Sequence, residues 1–141
     1  MAFMAAAQPS FTVASYNIRY DASQDRKNGD AWEVRSQALC DLVNYERWEI
    51  FGAQEVLDHQ LQDLMKGLDN YGYIGTGRDD GAKAGEYAPI FFRKDRMRCL
   101  ENGQFWLSGT PDVVGSVGWD ASCPRICTWG RFEDKSTKWT F

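Results

Sequence analysis

The sequence predicts a mixed α/β sheet with its helices early and most of its strands late, and three observations point there. Two short β-prone runs, 11–18 and 50–53, each lead toward a segment whose apolar residues recur at spacings of three and four. After residue 70 the pattern changes to strand-like runs broken by glycine-rich or polar turns. Hydrophobic residues make up 43% of the 141 residues against 26% charged, which is enough apolar material for one domain core and argues against a disordered chain.

The first strand is predicted over Phe11 to Ile18, where Thr12, Val13, Tyr16 and Ile18 alternate with smaller or polar neighbours. A polar loop containing Asn28-Gly29 follows. Asp30 ahead of Ala31, Trp32 and Glu33 reads as a capping-box-like helix start with Asp in place of Ser or Thr. Ala31, Val34, Ala38, Leu42 and Tyr45 then give that helix one apolar face. Ile50-Phe51-Gly52-Ala53 reads as a short buried strand, ended by Gln54 and Glu55. Leu57, Leu61, Leu64, Met65 and Leu68 mark a second amphipathic helix, with Asp58, Gln60, Gln62, Asp63 and Lys66 at its other positions. Strand, helix, strand, helix argues for a parallel βαβ unit with a right-handed crossover. Further strands are predicted over Tyr71 to Ile74, Tyr87 to Arg93, Met97 to Leu107 and Arg125 to Phe132. Asp134 to Thr137 reads as a hairpin turn, and Lys138-Trp139-Thr140-Phe141 begins another alternating strand. That pattern predicts an unprotected sheet edge, and so a domain cut short or completed by something else.

Composition narrows the function classes. With 16 basic and 20 acidic residues the net charge is −4, so nothing demands the basic face of a protein that lives on long nucleic acids. The four cysteines, Cys40, Cys99, Cys123 and Cys127, form no CxxC pair, and the lone histidine is His59. A zinc or redox module built on them is the weakest of three readings, because zinc wants close-set Cys and His ligands. No run of about 18 apolar residues predicts a transmembrane helix. Residues 1–10 read as a flexible segment, either the small-residue tail of a signal peptide or an ordinary terminus. The first would make the protein secreted or periplasmic, the second cytoplasmic.

Asn17 ends the first predicted strand and Glu55 ends the second, so in a parallel unit both face the same rim of the sheet. Ligands of open α/β sheets sit outside the carboxyl ends of the strands. A carboxamide and a carboxylate oxygen there suit Mg²⁺ or Mn²⁺, which take one or two carboxylates plus water and phosphate. On spacing alone the simpler reading is structural, with Asn17 in a turn and Glu55 capping the next helix.

The local wording shifts that weighting. Ser15-Tyr16-Asn17-Ile18-Arg19 resembles the opening motif of the endonuclease/exonuclease/phosphatase superfamily, and Ile50-Phe51-Gly52-Ala53-Gln54-Glu55-Val56 resembles its second. Three further blocks resemble one branch of it in the same order: Gly85 to Arg93, Phe105 to Pro111 and Gly118 to Trp129. The resemblance covers roughly residues 11 to 133. It implies a DNase I-like two-layer β-sandwich flanked by helices, of which residues 11–141 supply the N-terminal half as a mixed sheet with two helices. It implies a Mg²⁺- or Mn²⁺-dependent phosphodiester or phosphomonoester hydrolase, with Glu55 as principal metal ligand and Asn17 helping to hold the ion or the attacking water. Tyr87 and Arg125 would contact phosphate, with Glu86 nearby, and Asp120 and Trp119 would either shape the pocket or only order their loop. The structural alternatives are a core strand aromatic for Tyr87 and a surface ion pair for Arg125. His59, on the polar side of a helix, matches no catalytic position.

The resemblance also implies an Asp–His general base in the second half of such a domain, which these residues do not include. The competing reading is therefore a catalytically inert fragment that acts as an interaction or structural module. One sheet layer alone would expose its inner face, including Trp129 and Phe132, and would associate with a second copy or with the missing C-terminal half. Nucleic acid, a lipid headgroup and a small phosphorylated molecule all remain open as substrate.

Overall fold

The computed structural model describes residues 10–141, so nearly all of the predicted flexible start lies outside the described residues. The elements run β1 (Val13–Asn17), α1 (Ser23–Asn28), α2 (Trp32–Glu46), β2 (Ile50–Gln54), α3 (Asp58–Gly67), β3 (Tyr71–Ile74), β4 (Ile90–Arg93), β5 (Met97–Trp106) and β6 (Ile126–Asp134). The first four strands form a sheet in the order β1-β2-β4-β3, and β5 pairs with β6 as a separate hairpin. β1 and β2 are parallel, with Asn17 opposite Gln54, while the remaining pairs are antiparallel. The predicted βαβ unit is therefore present.

Alternation along the strands sorts the side chains onto two faces. Phe51, Ala53, Tyr71 and Phe91 point to one, where α2 and α3 cover them with Trp32, Leu39, Val43, Leu61, Leu64 and Leu68. Phe51 and Phe91 stack in its centre at 4.6 Å. Ile50 and Ile74 point to the other face and pack with Met97 and Phe132 of the hairpin. The base of the hairpin therefore closes part of the second face. Beyond it lies an open groove of about 390 Å³, lined from the sheet by Gly52, Gln54 and Ile90 and from the hairpin by Phe105, Leu107 and Thr128. The expected exposed sheet face is real but smaller than predicted: Trp129 is partly exposed, whereas Phe132 is only 3% exposed.

Several local expectations are corrected. The polar loop after β1 contains the short helix α1, closed by Gly29 in the left-handed conformation, where glycine carries no Cβ penalty. α2 begins after Ala31, and no side chain caps it. Asp30 contributes its backbone carbonyl, which accepts from Arg35 Nε at 2.8 Å. The buried face of α2 is Trp32, Leu39, Cys40 and Val43, while Val34 is 66% and Tyr45 81% exposed. Sequence spacing allows either stripe. The bulk of Trp32 decides between them, since the largest apolar area gains most from burial, and its indole N–H reaches Asp63 on α3 at 3.0 Å. Residues 138–141 pair as predicted but as a bridge, Glu133 with Thr140. Phe132 and Phe141 exchange both backbone hydrogen bonds, and the Phe141 ring stacks on Phe11 at 4.6 Å, so these last residues cover part of the edge of β6. No helix among the described residues is long and apolar enough to cross a membrane.

Asp134 closes β6 and ties the final turn. Its Oδ1 accepts the Ser136 hydroxyl at 2.7 Å and the Ser136 amide at 2.8 Å. These bonds, with Arg96 nearby, hold its carboxyl down to about 2 from an ordinary 3.8. A depressed carboxyl stabilises the fold when ionised, so its contribution is complete above pH 3.8 and is lost as pH falls through about 2. Asp134→Asn is expected to flatten the pH dependence of the melting temperature in that window. An unchanged acid limb would contradict this.

Candidate active site

The carboxyl rim of the parallel pair carries the predicted residues, and the backbone explains why they meet. Past β1, Ile18 N–H still reaches the Gln54 carbonyl at 3.2 Å. The chain then turns through Arg19 at φ 61°, and after β2 it turns through Glu55 at φ 60°. Both are non-glycine residues in the left-handed region, a conformation that costs on the order of 1–3 kcal/mol and persists only where surrounding contacts enforce it. For Glu55 the enforcement comes next in the chain, where Val56 and Tyr87 exchange backbone bonds of 2.7 and 3.4 Å.

Asn17 and Glu55 lie together, Asn17 Nδ2 donating to Glu55 Oε1 at 2.8 Å. The other carboxylate oxygen accepts the Tyr20 N–H at 3.2 Å. Asn17 Oδ1 accepts the Arg19 N–H at 2.8 Å, and that bond fixes the amide so that its NH₂ faces the carboxylate. The structure thus brings Asn17 and Glu55 together on the rim, with the Asn17 amide hydrogen-bonded to the Glu55 carboxylate. That carboxylate has no ion-pair partner among the described residues.

The two residues line a cleft of about 300 Å³ together with Gln54, Arg78, Glu86, Tyr87, Leu107 and Arg125. The hairpin supplies the far wall, and Leu107 N–H donates to the Arg125 carbonyl at 2.7 Å to fasten the rim. Arg125 is exposed, and among the described residues its guanidinium has neither hydrogen-bond nor ion-pair partner, so the surface ion pair considered for it is not formed. Glu86 is in the cleft but is gripped by Arg78 through two bonds of 3.0 and 3.2 Å. Arg78 itself gave no signal in the sequence. Its surroundings, Gly77-Arg78-Asp79-Asp80, read as a turn, and only the fold carries that turn to the cleft.

Tyr87 walls the cleft but is only 4% exposed, and its hydroxyl donates to Asp58 Oδ1 at 2.9 Å. Burial, and then that bond, push the phenol well above its ordinary value. That bond braces the start of α3 against the cleft. Trp119 and Asp120 do not line the cleft; both sit exposed on the loop between β5 and β6, at φ 53° and 61°. His59 pairs with Asp21 at 3.1 Å. All four cysteines are free thiols, and no group of three or more His, Cys, Asp or Glu converges among the described residues. The zinc reading thus finds no site there. A carboxylate with no cation partner among the described residues, beside an open cleft, does fit Mg²⁺ or Mn²⁺, which keep several waters and complete their shell with phosphate oxygens.

No family model and no curated protein matches the chain. Solved structures do. A mannosyl-6-phosphatase of Bacteroides thetaiotaomicron superposes with a TM-score of 0.91 at 49% identity, over 94% of this chain and 49% of that one. An endonuclease/exonuclease/phosphatase from Bacteroides vulgatus gives 0.89 at 46% identity, over 93% and 49%. The human nocturnin catalytic domain shares the fold at 0.65 and 16% identity, over 89% and 44%. Sheet order, rim and cleft define the N-terminal half of a DNase I-like α/β domain. The chain belongs to the endonuclease/exonuclease/phosphatase family and spans about half the length of the structures it matches.

Proposed function

We propose that this chain forms one wall of the active site of a divalent-metal-dependent phosphoesterase, with Glu55 as the metal carboxylate and Arg125 as the phosphate-binding cation. The observation that carries the reading is the pairing of one cation-free carboxylate, oriented by Asn17 and the Tyr20 amide, with one free guanidinium on the same cleft. A bound Mg²⁺ or Mn²⁺ would supply charge neutralisation at a phosphoryl oxygen and at the leaving oxygen. Arg125 would take two phosphate oxygens in its planar fork. Leu107, Ala88 and Ile126 line the same cleft, and their apolar surface strengthens each electrostatic contact made beside it. Arg78 neutralises Glu86 and so keeps a second carboxylate from repelling the phosphate.

None of these residues is poised to take a proton from water. In this proposal the Asp–His base belongs to the other half of the domain, docked over the groove bounded by Phe105 and Leu107, and the 141-residue chain alone is inert. Likeness to a mannosyl-6-phosphatase makes a hexose 6-phosphate the first substrate to assay in the protein that holds both halves.

Arg125→Ala in that protein is expected to raise KM for a phosphomonoester by at least about tenfold, the worth of one charge-assisted contact. Arg125→Lys should recover only part, because a point charge replaces a fork. Hydrolysis that survives chelation of divalent ions, or an unchanged KM in Arg125→Ala, would remove the proposal.

A further inference from the structure

We infer that Gln60 is a positioning residue for the Glu55 carboxylate, acting through the backbone of both rim loops. The sequence puts Gln60 at a polar position of α3, yet the residue is fully buried. A buried carboxamide must find partners, and this one finds three. Its Oε1 accepts the Leu57 N–H at 3.1 Å and the Asp21 N–H at 3.2 Å, and its Nε2 donates to the Arg19 carbonyl at 3.0 Å.

Those partners have a common meaning. Leu57 lies two residues past Glu55, in the loop after β2. Arg19 and Asp21 flank Tyr20, whose N–H donates to Glu55 Oε2 at 3.2 Å. One side chain therefore clasps the two loops at the place where one loop donates to the carboxylate carried by the other. Both loops contain a left-handed residue, Arg19 and Glu55, and neither conformation is self-supporting. Arg35 braces the first loop from its other side, through the Ile18 and Arg19 carbonyls, but reaches nothing in the second. Asn17 reaches the second loop only at the Glu55 carboxylate itself, whereas Gln60 bonds the backbone of both loops. An apolar residue of the same volume would orphan the Leu57 and Asp21 amides and leave the Arg19 carbonyl only its longer bond from Arg35, and the carboxylate would lose its fixed direction.

The inference rests on Glu55 being the metal carboxylate, and the test separates the two claims. Gln60→Met and Gln60→Glu are made in the 141-residue chain, with Val43→Ala as a control that loosens only the helix-facing core. Mn²⁺ affinity is measured by titration calorimetry and amide exchange at Tyr20 by NMR. Gln60→Met is expected to weaken Mn²⁺ binding by about ten- to hundredfold, the usual effect of removing a group that orients a metal ligand, and to speed Tyr20 exchange relative to Ala53. Gln60→Glu should fall between, since its oxygen can still accept from Leu57 while the donor to Arg19 is gone. Should Gln60→Met not fold, Gln60→Glu against Val43→Ala gives the same comparison. Mn²⁺ affinity that follows thermal stability equally in all three variants, or Tyr20 exchange unmoved in the Gln60 variants, overturns the inference. Absence of Mn²⁺ binding to the parent chain would instead remove the Glu55 reading, and Tyr20 exchange would still decide whether Gln60 holds the loop.

Discussion

Glu55→Gln is expected to reduce metal-dependent turnover of the protein holding both domain halves by more than about a hundredfold, beyond the loss typical of removing a group that merely orients a ligand. The substitution keeps the shape of the side chain and removes its charge. That charge is the one carboxylate on the cleft without a cation partner, whereas Glu86 is already paired with Arg78. The fold should hardly notice. Glu55 faces the cleft rather than the core, its partners Asn17 and Tyr20 are at the surface, and changes at such positions usually stay within about 0.5 kcal/mol. Glu55→Gly sharpens the point. At φ 60° a glycine relieves backbone strain, so this variant should be as stable as the parent, or more so, while also inactive. Activity assayed with Mn²⁺ beside a thermal melt reads both effects. Retained turnover in either variant would detach Glu55 from the chemistry.

Arg93→Met is expected to give the largest loss of stability. Arg93 is buried at the opposite end of β4 from the cleft, where Glu49 gathers an unusual load. Glu49 Oε2 accepts the Thr12 N–H at 2.7 Å, and Oε1 faces Arg93 and Arg96, each at 3.4 Å. Arg93 also donates to the Arg47 carbonyl at 3.3 Å and to Asp95. Arg96 in turn reaches Asp134 at 3.5 Å, so the cluster ties the four-stranded sheet to the hairpin. Removing Arg93 leaves Glu49 buried and under-compensated, which costs about 3–5 kcal/mol in such pairs. For a chain of this size that is a fall of roughly 10 °C or more in melting temperature. The double variant Glu49→Gln with Arg93→Met should recover part of the loss, because the stranded charge goes with its partner. If the two single losses simply add, the cluster is not coupled.

The depth to which the fold could be read in the sequence varied with the kind of signal. β1, β2 and β3 were legible because alternation or a bounded apolar run leaves few alternatives, and the parallel pairing of β1 with β2 followed from the intervening helix. The buried face of α2 was not, since two stripes one residue apart are both apolar and only the partner surface chooses Trp32, Leu39 and Val43. α1 was invisible because Ser23–Asn28 is polar throughout and its only firm mark is Gly29. At the site, Asn17, Glu55 and Arg125 could be placed from motif and strand ends. Arg78 and Gln60 could not. Arg78 reaches the cleft on a turn whose direction no local pattern encodes, and Gln60 occupies a helix position that periodicity assigns to solvent until the loop of β1 folds over it. The partner of the Tyr87 hydroxyl is not legible for a related reason: an aromatic in a strand-like run gives its location, but the destination of its hydroxyl depends on Asp58, 29 residues away.

Where a hard cation settles decides whether Glu55 is the metal carboxylate. Crystals of the protein holding both halves, soaked in Mn²⁺ and measured at the manganese absorption edge, would show it directly. An anomalous peak is expected about 2.0–2.2 Å from a Glu55 carboxylate oxygen, inside the cleft that Arg125 borders. A well-occupied manganese elsewhere, with Glu55 still bonded only to Asn17 and Tyr20, would contradict that assignment.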